Sequence, residues 1–134
     1  KAKAERLGVK PRVRFLGWRD DTAALLATCD VFICPSRHEP LGNVVVEAWA
    51  HSAPVIAAAS QGPSMLIQDS ENGVLFPIDD SKALNAAIKR VIADDDLRGK
   101  IASNGRVSYE KDFTEARVVE KYMNFFKGLV EAER

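Results

Sequence analysis

The segment Ser36-Arg37-His38-Glu39-Pro40-Leu41-Gly42-Asn43-Val44-Val45-Val46-Glu47 sets two carboxylates on either side of a glycine, where a loop turns into a helix. Backbone N–H groups at a helix start lack intrahelical acceptors and carry partial positive charge. Gly42 removes the side chain where a ligand would approach that backbone most closely. Together these features suit a phosphate or diphosphate. Glu47 falls about one turn into the helix, and helical side chains lean toward the N-terminus, so its carboxylate can reach back toward the same pocket. Carboxylates would repel a phosphate that they touched. They make better sense gripping hydroxyl groups at the two ends of a ligand, a ribose at one and a hexose at the other.

Plainer explanations compete. A glycine before a helix is often only a turn. Ser36 and Glu39 have capping-box spacing, although Pro40 follows at once and the apolar helix starts later. Glu47 taken alone could be a solvated helix residue. Its neighbours Val44, Val45, Val46, Ala48 and Trp49 are apolar, however, and a charge inside an apolar run is costly without a partner.

These residues must be positioned by the elements around them. Lys1 to Leu7 is helical in pattern, with Gly8 as its stop. Val9 to Pro11 is a connector. Val13, Phe15 and Leu16 read as a short strand closed by Gly17. Asp20 or Asp21 is placed to cap a helix through Ala27, with Leu25 and Leu26 facing inward. Val31 to Cys34 is a continuous apolar run, suited to a strand buried on both faces. Pro35 to Gly42 is a loop, and Asn43 opens a helix through about Ser52. Pro54 to Ala58 is a further strand, Ser60 to Pro63 a loop, and Ser64 to Gln68 a short helix. Asn72-Gly73 turns into a strand, Val74 to Phe76, stopped by Pro77. Helices follow over Asp80 to Ala93, Asp96 to about Lys111, and about 114–133. Strands alternating with helices predict an α/β fold with a Rossmann-like parallel sheet flanked by helices. In such sheets ligands bind outside the carboxyl ends of the strands, where the loops after Leu16 and Cys34 lie.

The chain has 134 residues, enough for one domain with one sizeable core. Nineteen basic residues balance nineteen acidic ones, without the basic excess or stripe of a nucleic-acid binder. No apolar stretch reaches the roughly 18 residues of a membrane helix, and no signal peptide is visible. Cys29 and Cys34 have no CxxC spacing and read as reduced, buried thiols, which fits a reducing compartment. The opening Lys1-Ala2-Lys3-Ala4, without Met, reads as the interior of a longer protein.

Read together, these segments resemble the retaining GT-B glycosyltransferases of family four, the glycogen synthase and sucrose synthase-like group. Glu39 to Glu47 resembles its E-x7-E motif. Val13-Arg14-Phe15-Leu16-Gly17 is similar to its V-x-F-L-G strand, and Cys29 to Ser36 to its A-D-V-F-x-x-P-S. Ala53-Pro54-Val55-Ile56-Ala57 and Glu71-Asn72-Gly73-Val74-Leu75-Phe76-Pro77 resemble its x-P-V-I-A and E-N-G-x-L-V-P segments. The resemblance covers nearly the whole chain in order and spacing.

It implies a C-terminal, nucleotide-sugar-binding domain over residues 1–134 that lacks the first strand and helix of that domain. Glu39 would contact the donor sugar's hydroxyls and is the candidate catalytic residue. Glu47 would bind the ribose, and Pro40 would line the donor loop. The backbone amides of Leu41, Gly42, Asn43 and Val44 would hold the sugar and diphosphate. Gly17 and Arg19 would meet the nucleobase. The nucleotide diphosphate sugar is a substrate, and no cofactor or metal is implied. An N-terminal acceptor-binding domain would be the partner. The group is cytoplasmic, and any peripheral membrane association, at the inner face, would run through that upstream part. The acceptor would be a glycan or glycolipid precursor.

The sequence departs from the pattern in places. The Arg and Lys that clamp the diphosphate would lie upstream of Lys1; within the loop Arg37 and His38 are cationic but do not match the clamp. Met65 stands where many members have Glu. His51-Ser52-Ala53 replaces a small residue and glycine, and His51 reads as a structural residue at a helix C-terminus. In the last helix, Val118, Tyr122, Phe125 and Leu129 form one stripe and Val119, Met123, Phe126 and Val130 the next. So wide an apolar face implies either deep burial or core packing plus a second surface, as where the GT-B terminal helix crosses back to the other domain. Two other functions compete. A dinucleotide-cofactor domain of an oxidoreductase is disfavoured by the lack of G-x-G-x-x-G after a strand. A non-catalytic nucleotide-sugar or protein-interaction module on the same fold is the alternative.

Overall fold

A computed structural model describes residues 1–132; residue 133, which the sequence places in the last helix, lies outside them. The order is α1 (Ala2–Arg6), a 3-10 turn (Lys10–Arg12), α2 (Thr22–Thr28), β1 (Phe32–Cys34), α3 (Asn43–Ala50), β2 (Val55–Ala58), α4 (Gln61–Leu66), β3 (Val74–Phe76), α5 (Ser81–Ala93), α6 (Asp95–Asp112) and α7 (Glu115–Ala132). The three strands form a parallel sheet in the order β1-β2-β3, with Ile33 opposite Ile56 and Ala57 opposite Leu75. This is the expected α/β layering.

β2 is buried throughout and its side chains alternate between two cores. Val55 and Ala57 face a cluster with Cys34, Val45, Ala48, Trp49, Ala53 and Ile67. Ile56 and Ala58 face the other, with Val74, Phe76, Ala87, Val91, Leu97 and Ile101. A two-residue period thus commits opposite faces of the strand to helices on opposite sides. α3 closes the first face and α5 the second, while α6 serves both, through Leu97 and Ile101 at one end and Tyr109 at the other. α5 and α6 begin at side-chain caps: Asp80 accepts from the Lys82 and Ala83 amides at 3.0 and 2.8 Å, and Asp94 from the Leu97 amide at 2.9 Å. α1 ends as its glycine predicts: Gly8 has φ +67°, its N–H donates to Glu5 and that of Val9 to Ala4.

Trp49 of α3 is the largest fully buried side chain. Its indole N–H donates to the Asn72 carbonyl at 2.9 Å, and its ring lies 6.4 Å from that of Phe113, tilted. Gly105 of α6 makes room for it: a Cβ there would lie 2.4 Å from Trp49 Cδ1. The buried Asn72 side chain accepts from the Gln68 amide at 2.8 Å and donates to the Leu66 carbonyl and the Ser108 hydroxyl, at 3.3 and 3.2 Å. One residue before β3 thus ties α4 to α6.

Several expectations need correction. Val13 to Leu16 forms no strand. Among the described residues β1 pairs on one side only, with β2, and an extended segment without a neighbouring strand has no partner for its backbone groups. Phe15 and Leu16 are half exposed. β1 itself is not buried on both faces: Phe32 and Ile33 are partly covered and only Cys34 is buried, because its outer edge carries no strand. Asp21 stands at the N-cap of α2 but caps nothing, since its carboxylate is taken by Arg19. Leu26 packs on the first core, whereas Leu25 is exposed rather than facing inward. Ser60 to Pro63 is not a loop: α4 starts at Gln61, and Pro63 sits in the first turn, where its missing N–H costs nothing. α3 ends at Ala50, with His51 as its C-cap, the structural position expected. Both cysteines are free, Cys34 buried and Cys29 half-buried; burial, with Asp30 nearby, pushes the Cys29 thiol up.

α7 is not deeply buried. Its eight apolar stripe residues are 37–61% exposed. Its joint with α6 is the Lys121–Asp112 ion pair at 2.8 Å, which holds the Asp112 carboxyl below its ordinary range. Asp112, Phe113, Val118, Lys121, Tyr122 and Phe125 line an apolar groove of about 460 Å³ beside it.

Gly105→Ala should cost about 1–3 kcal/mol, because the added methyl meets a ring with no free space to move into. Asn72→Ala should cost about 1–3 kcal/mol, because it leaves buried polar partners unpaired. Urea melts check both, and a change within about 0.5 kcal/mol for either would remove Trp49 or Asn72 from its assigned place.

Candidate active site

The parallel sheet sends three loops from its carboxyl ends to one side. The loop after β1 runs from Pro35 to Gly42 and carries Glu39. Gly42 is the N-cap of α3, with φ +75°, the left-handed region that favours glycine. It is buried, and a Cβ there would lie 2.7 Å from Leu66 Cδ1 and 3.2 Å from the Gly62 carbonyl carbon. The Gly42 carbonyl accepts from the Val45 and Val46 amides at 2.9 and 3.2 Å, which starts the helix. The amides of Asn43 and Val44 precede the first helical bond and have no helical acceptor.

Glu39 is half-buried above this turn. Its Oε1 accepts from the Gly42 N–H at 3.1 Å, and its backbone carbonyl accepts from the Gly62 N–H at 2.7 Å. Glu39 is therefore held at both ends. The capping box with Ser36 does not form, since the helix starts beyond it and Gly42 has no side-chain cap. Pro40, Leu41 and Asn43 are exposed along the loop and helix start, and Val44 is half-buried. Of the amides expected to face a ligand, that of Gly42 donates to Glu39, which leaves those of Asn43 and Val44 at the helix start.

Glu47 is exposed one turn further along. It lines a groove of about 350 Å³ between α2 and α3, with Thr22, Leu25, Leu26, Phe32 and Val44 among the lining residues. The structure thus brings Glu39 and Gly42 into direct contact and sets Glu47 on the neighbouring groove. It does not bring Gly17 or Arg19 into this cluster. Gly17 has φ +70° and open space around it, and Arg19 is engaged by Asp21 at 2.5 Å, which holds the Asp21 carboxyl below its ordinary range.

The loop cations behave as their types suggest. His38 is exposed. Arg37 pairs with Asp79 at 2.5 Å, and so joins the loop after β1 to the loop after β3. Asp79 itself has φ +63°. Met65 of α4 is 79% exposed. Sequence reasoning missed Gly62 and the Arg37–Asp79 pair. A glycine directly before Pro63 was the one local sign of the first; nothing local signals a pair 42 residues apart.

The family model described as "Glycosyl transferases group 1" matches residues 1–108. The chain belongs to this glycosyltransferase family. The lipopolysaccharide core biosynthesis glycosyltransferase LpsE of Rhizobium meliloti (strain 1021) is 42% identical over 117 residues, 87% of this chain and 34% of LpsE. The crystal structure of Anabaena Alr3699/HepE in complex with UDP matches with a TM-score of 0.90 and 32% identity, over 95% of this chain and 35% of that one. Sucrose-phosphate synthase from Thermosynechococcus elongatus matches with a TM-score of 0.89 and 30% identity, over 98% and 33%. The chain spans about a third of the length of these relatives. The Rossmann-like parallel sheet flanked by helices is the fold of the corresponding portions of HepE and of the sucrose-phosphate synthase.

Gly42→Ala should destabilise the chain by about 1–2 kcal/mol from the left-handed backbone alone, and further because Leu66 must shift. Chemical denaturation tests this, and an unchanged midpoint would mean that the turn into α3 is not held as described.

Proposed function

We propose that this chain is the donor-binding part of a retaining, family-four glycosyltransferase that moves a sugar from a nucleotide diphosphate sugar to an acceptor. The observation that carries the proposal is the start of α3: a left-handed glycine at a strand's carboxyl end leaves two helix amides unpaired between Glu39 and Glu47. The diphosphate would sit on the Asn43 and Val44 amides, where the helix end carries partial positive charge. The free oxygen of Glu39 would accept a hydroxyl of the donor sugar, and Glu47 would hold the ribose in its groove. The family resemblance assigns Gly17 and Arg19 to the base; HepE, a similar protein, was crystallised with UDP and with UDP-glucose.

In the transfer step the bond from the sugar's anomeric carbon to the diphosphate oxygen breaks. A new bond forms from that carbon to the acceptor hydroxyl on the same face, and the hydroxyl proton passes to the leaving diphosphate. Stabilising the charge that develops on the diphosphate is electrostatic catalysis, and the α3 amides would supply part of it. The cationic clamp is assigned to the first strand and helix of the donor domain, upstream of Lys1, and the acceptor-binding domain lies further upstream; Arg37, which pairs with Asp79, does not match the clamp. Two features support that division: the one-sided pairing of β1 and the uncovered apolar face of α7. The resemblance to LpsE favours a glycan or glycolipid-precursor acceptor. The family resemblance supports a place on the cytoplasmic side; separately, no helix among the described residues is long and apolar enough to cross a membrane.

A nucleoside diphosphate at ten times its dissociation constant contributes about 1.4 kcal/mol, a rise of roughly 3–6 °C in melting temperature. Thermal shifts with UDP, GDP and ADP should show this for one of them, and Glu47→Ala should abolish it. No shift with any at millimolar concentration would refute donor binding. Residues 1–134 should transfer no sugar alone; product formed from a labelled donor by the purified chain would refute the division of labour.

A further inference from the structure

At Gly62 the start of α4 meets the loop after β1 backbone to backbone. Gly62, in the first turn of α4, is buried. A Cβ on it would lie 2.4 Å from the Gly42 nitrogen, 2.6 Å from the Leu41 carbonyl carbon and 2.7 Å from the Glu39 carbonyl oxygen. None of these atoms belongs to a side chain that could swing aside. The Gly62 N–H donates to that same Glu39 carbonyl at 2.7 Å. One residue thus touches Glu39, Leu41 and Gly42, where the loop turns into α3. Pro63, buried beside it, restricts the backbone at that point. By contrast, a Cβ on Gly99 would meet nothing within 4 Å.

From this geometry we propose that Gly62 is a positioning residue for donor binding. It latches the β1 loop so that the Glu39 carboxylate and the Asn43 and Val44 amides stand where a nucleotide sugar needs them. The proposal rests on the donor-binding function above and adds a residue that would touch no ligand. Any side chain at position 62 must push the loop outward, away from the placement that ligand binding uses. Gly62 fits the close-approach role of glycine: its N–H and its bare α-carbon face the same short stretch of backbone.

The test compares the chain with its Gly62→Ala and Gly99→Ala variants by amide hydrogen exchange and by UDP titration, with GDP and ADP as further probes. In Gly62→Ala, residues 39–44 should exchange faster while α5 and α6 keep their protection. The dissociation constant of the nucleotide that binds the unaltered chain should rise at least tenfold. Gly99→Ala should change neither. Unchanged exchange over 39–44 would overturn the latch. Faster exchange with unaltered affinity would reduce it to a structural contact and overturn the positioning role. If Gly62→Ala does not fold, the Gly62 amide of the unaltered chain decides: it should be strongly protected and slow further on nucleotide binding, and exchange at the rate of an open loop would overturn the proposal. Should the unaltered chain bind no nucleotide, the donor-binding function falls, while the exchange measurements still judge the latch separately.

Discussion

The structure turns on the burial of one indole. Trp49 lies on α3, the helix whose first turn forms the candidate site, and its N–H is satisfied by the backbone just before β3. Gly105 yields the space on α6, and Phe113 closes the far side. A ring held on three sides leaves α3 little freedom to roll or slide. That restraint matters because a helix start can present its amides usefully only if the helix axis is fixed. The core thereby aims the site, from a point some way down the helix.

A second set of ties works at the rim. The Gly62 amide holds the Glu39 carbonyl, Arg37 reaches Asp79, and the Ala59 amide donates to the Phe76 carbonyl at 2.8 Å. The three strand ends are cross-connected before any ligand arrives. An ion pair as exposed as Arg37–Asp79 contributes little to stability. Its effect is geometric: it links the loop after β1 to the loop after β3.

Much of this was legible because the relevant signals are local. The apolar runs Pro54 to Ala58 and Val74 to Phe76 are too short for helices and too apolar for loops; the second forms a strand with the expected limits and the first one that starts a residue later, at Val55. The helix expected from Asp80 starts there, with Asp80 as its cap, whereas the one expected from Asp96 starts a residue earlier because Asp94 caps it. Gly42 stands at the helix start as expected, and Glu39 lies beside it; that its backbone is left-handed emerges only in the structure. What was misread depends on neighbours. Val13 to Leu16 has the composition of a strand but no partner in the chain, and strand formation is a property of pairs. Val31 to Cys34 looks buried on both faces, yet burial on its outer flank needs an element that these residues do not include. Ser60 to Pro63 looks like a loop because Gly and Pro usually interrupt helices, but both are tolerated in a first turn. Gly62 escaped notice for a related reason: its significance lies in what approaches it from another strand.

The one-sided pairing of β1 has a practical consequence. Its outer edge presents backbone donors and acceptors in strand geometry, flanked by the half-covered side chains of Val31, Phe32 and Ile33. Such an edge is a template on which another extended segment can add. Neither a proline nor a lysine guards it between Val31 and Cys34. An unguarded edge of this kind bears on colloidal behaviour, which melting temperature does not report.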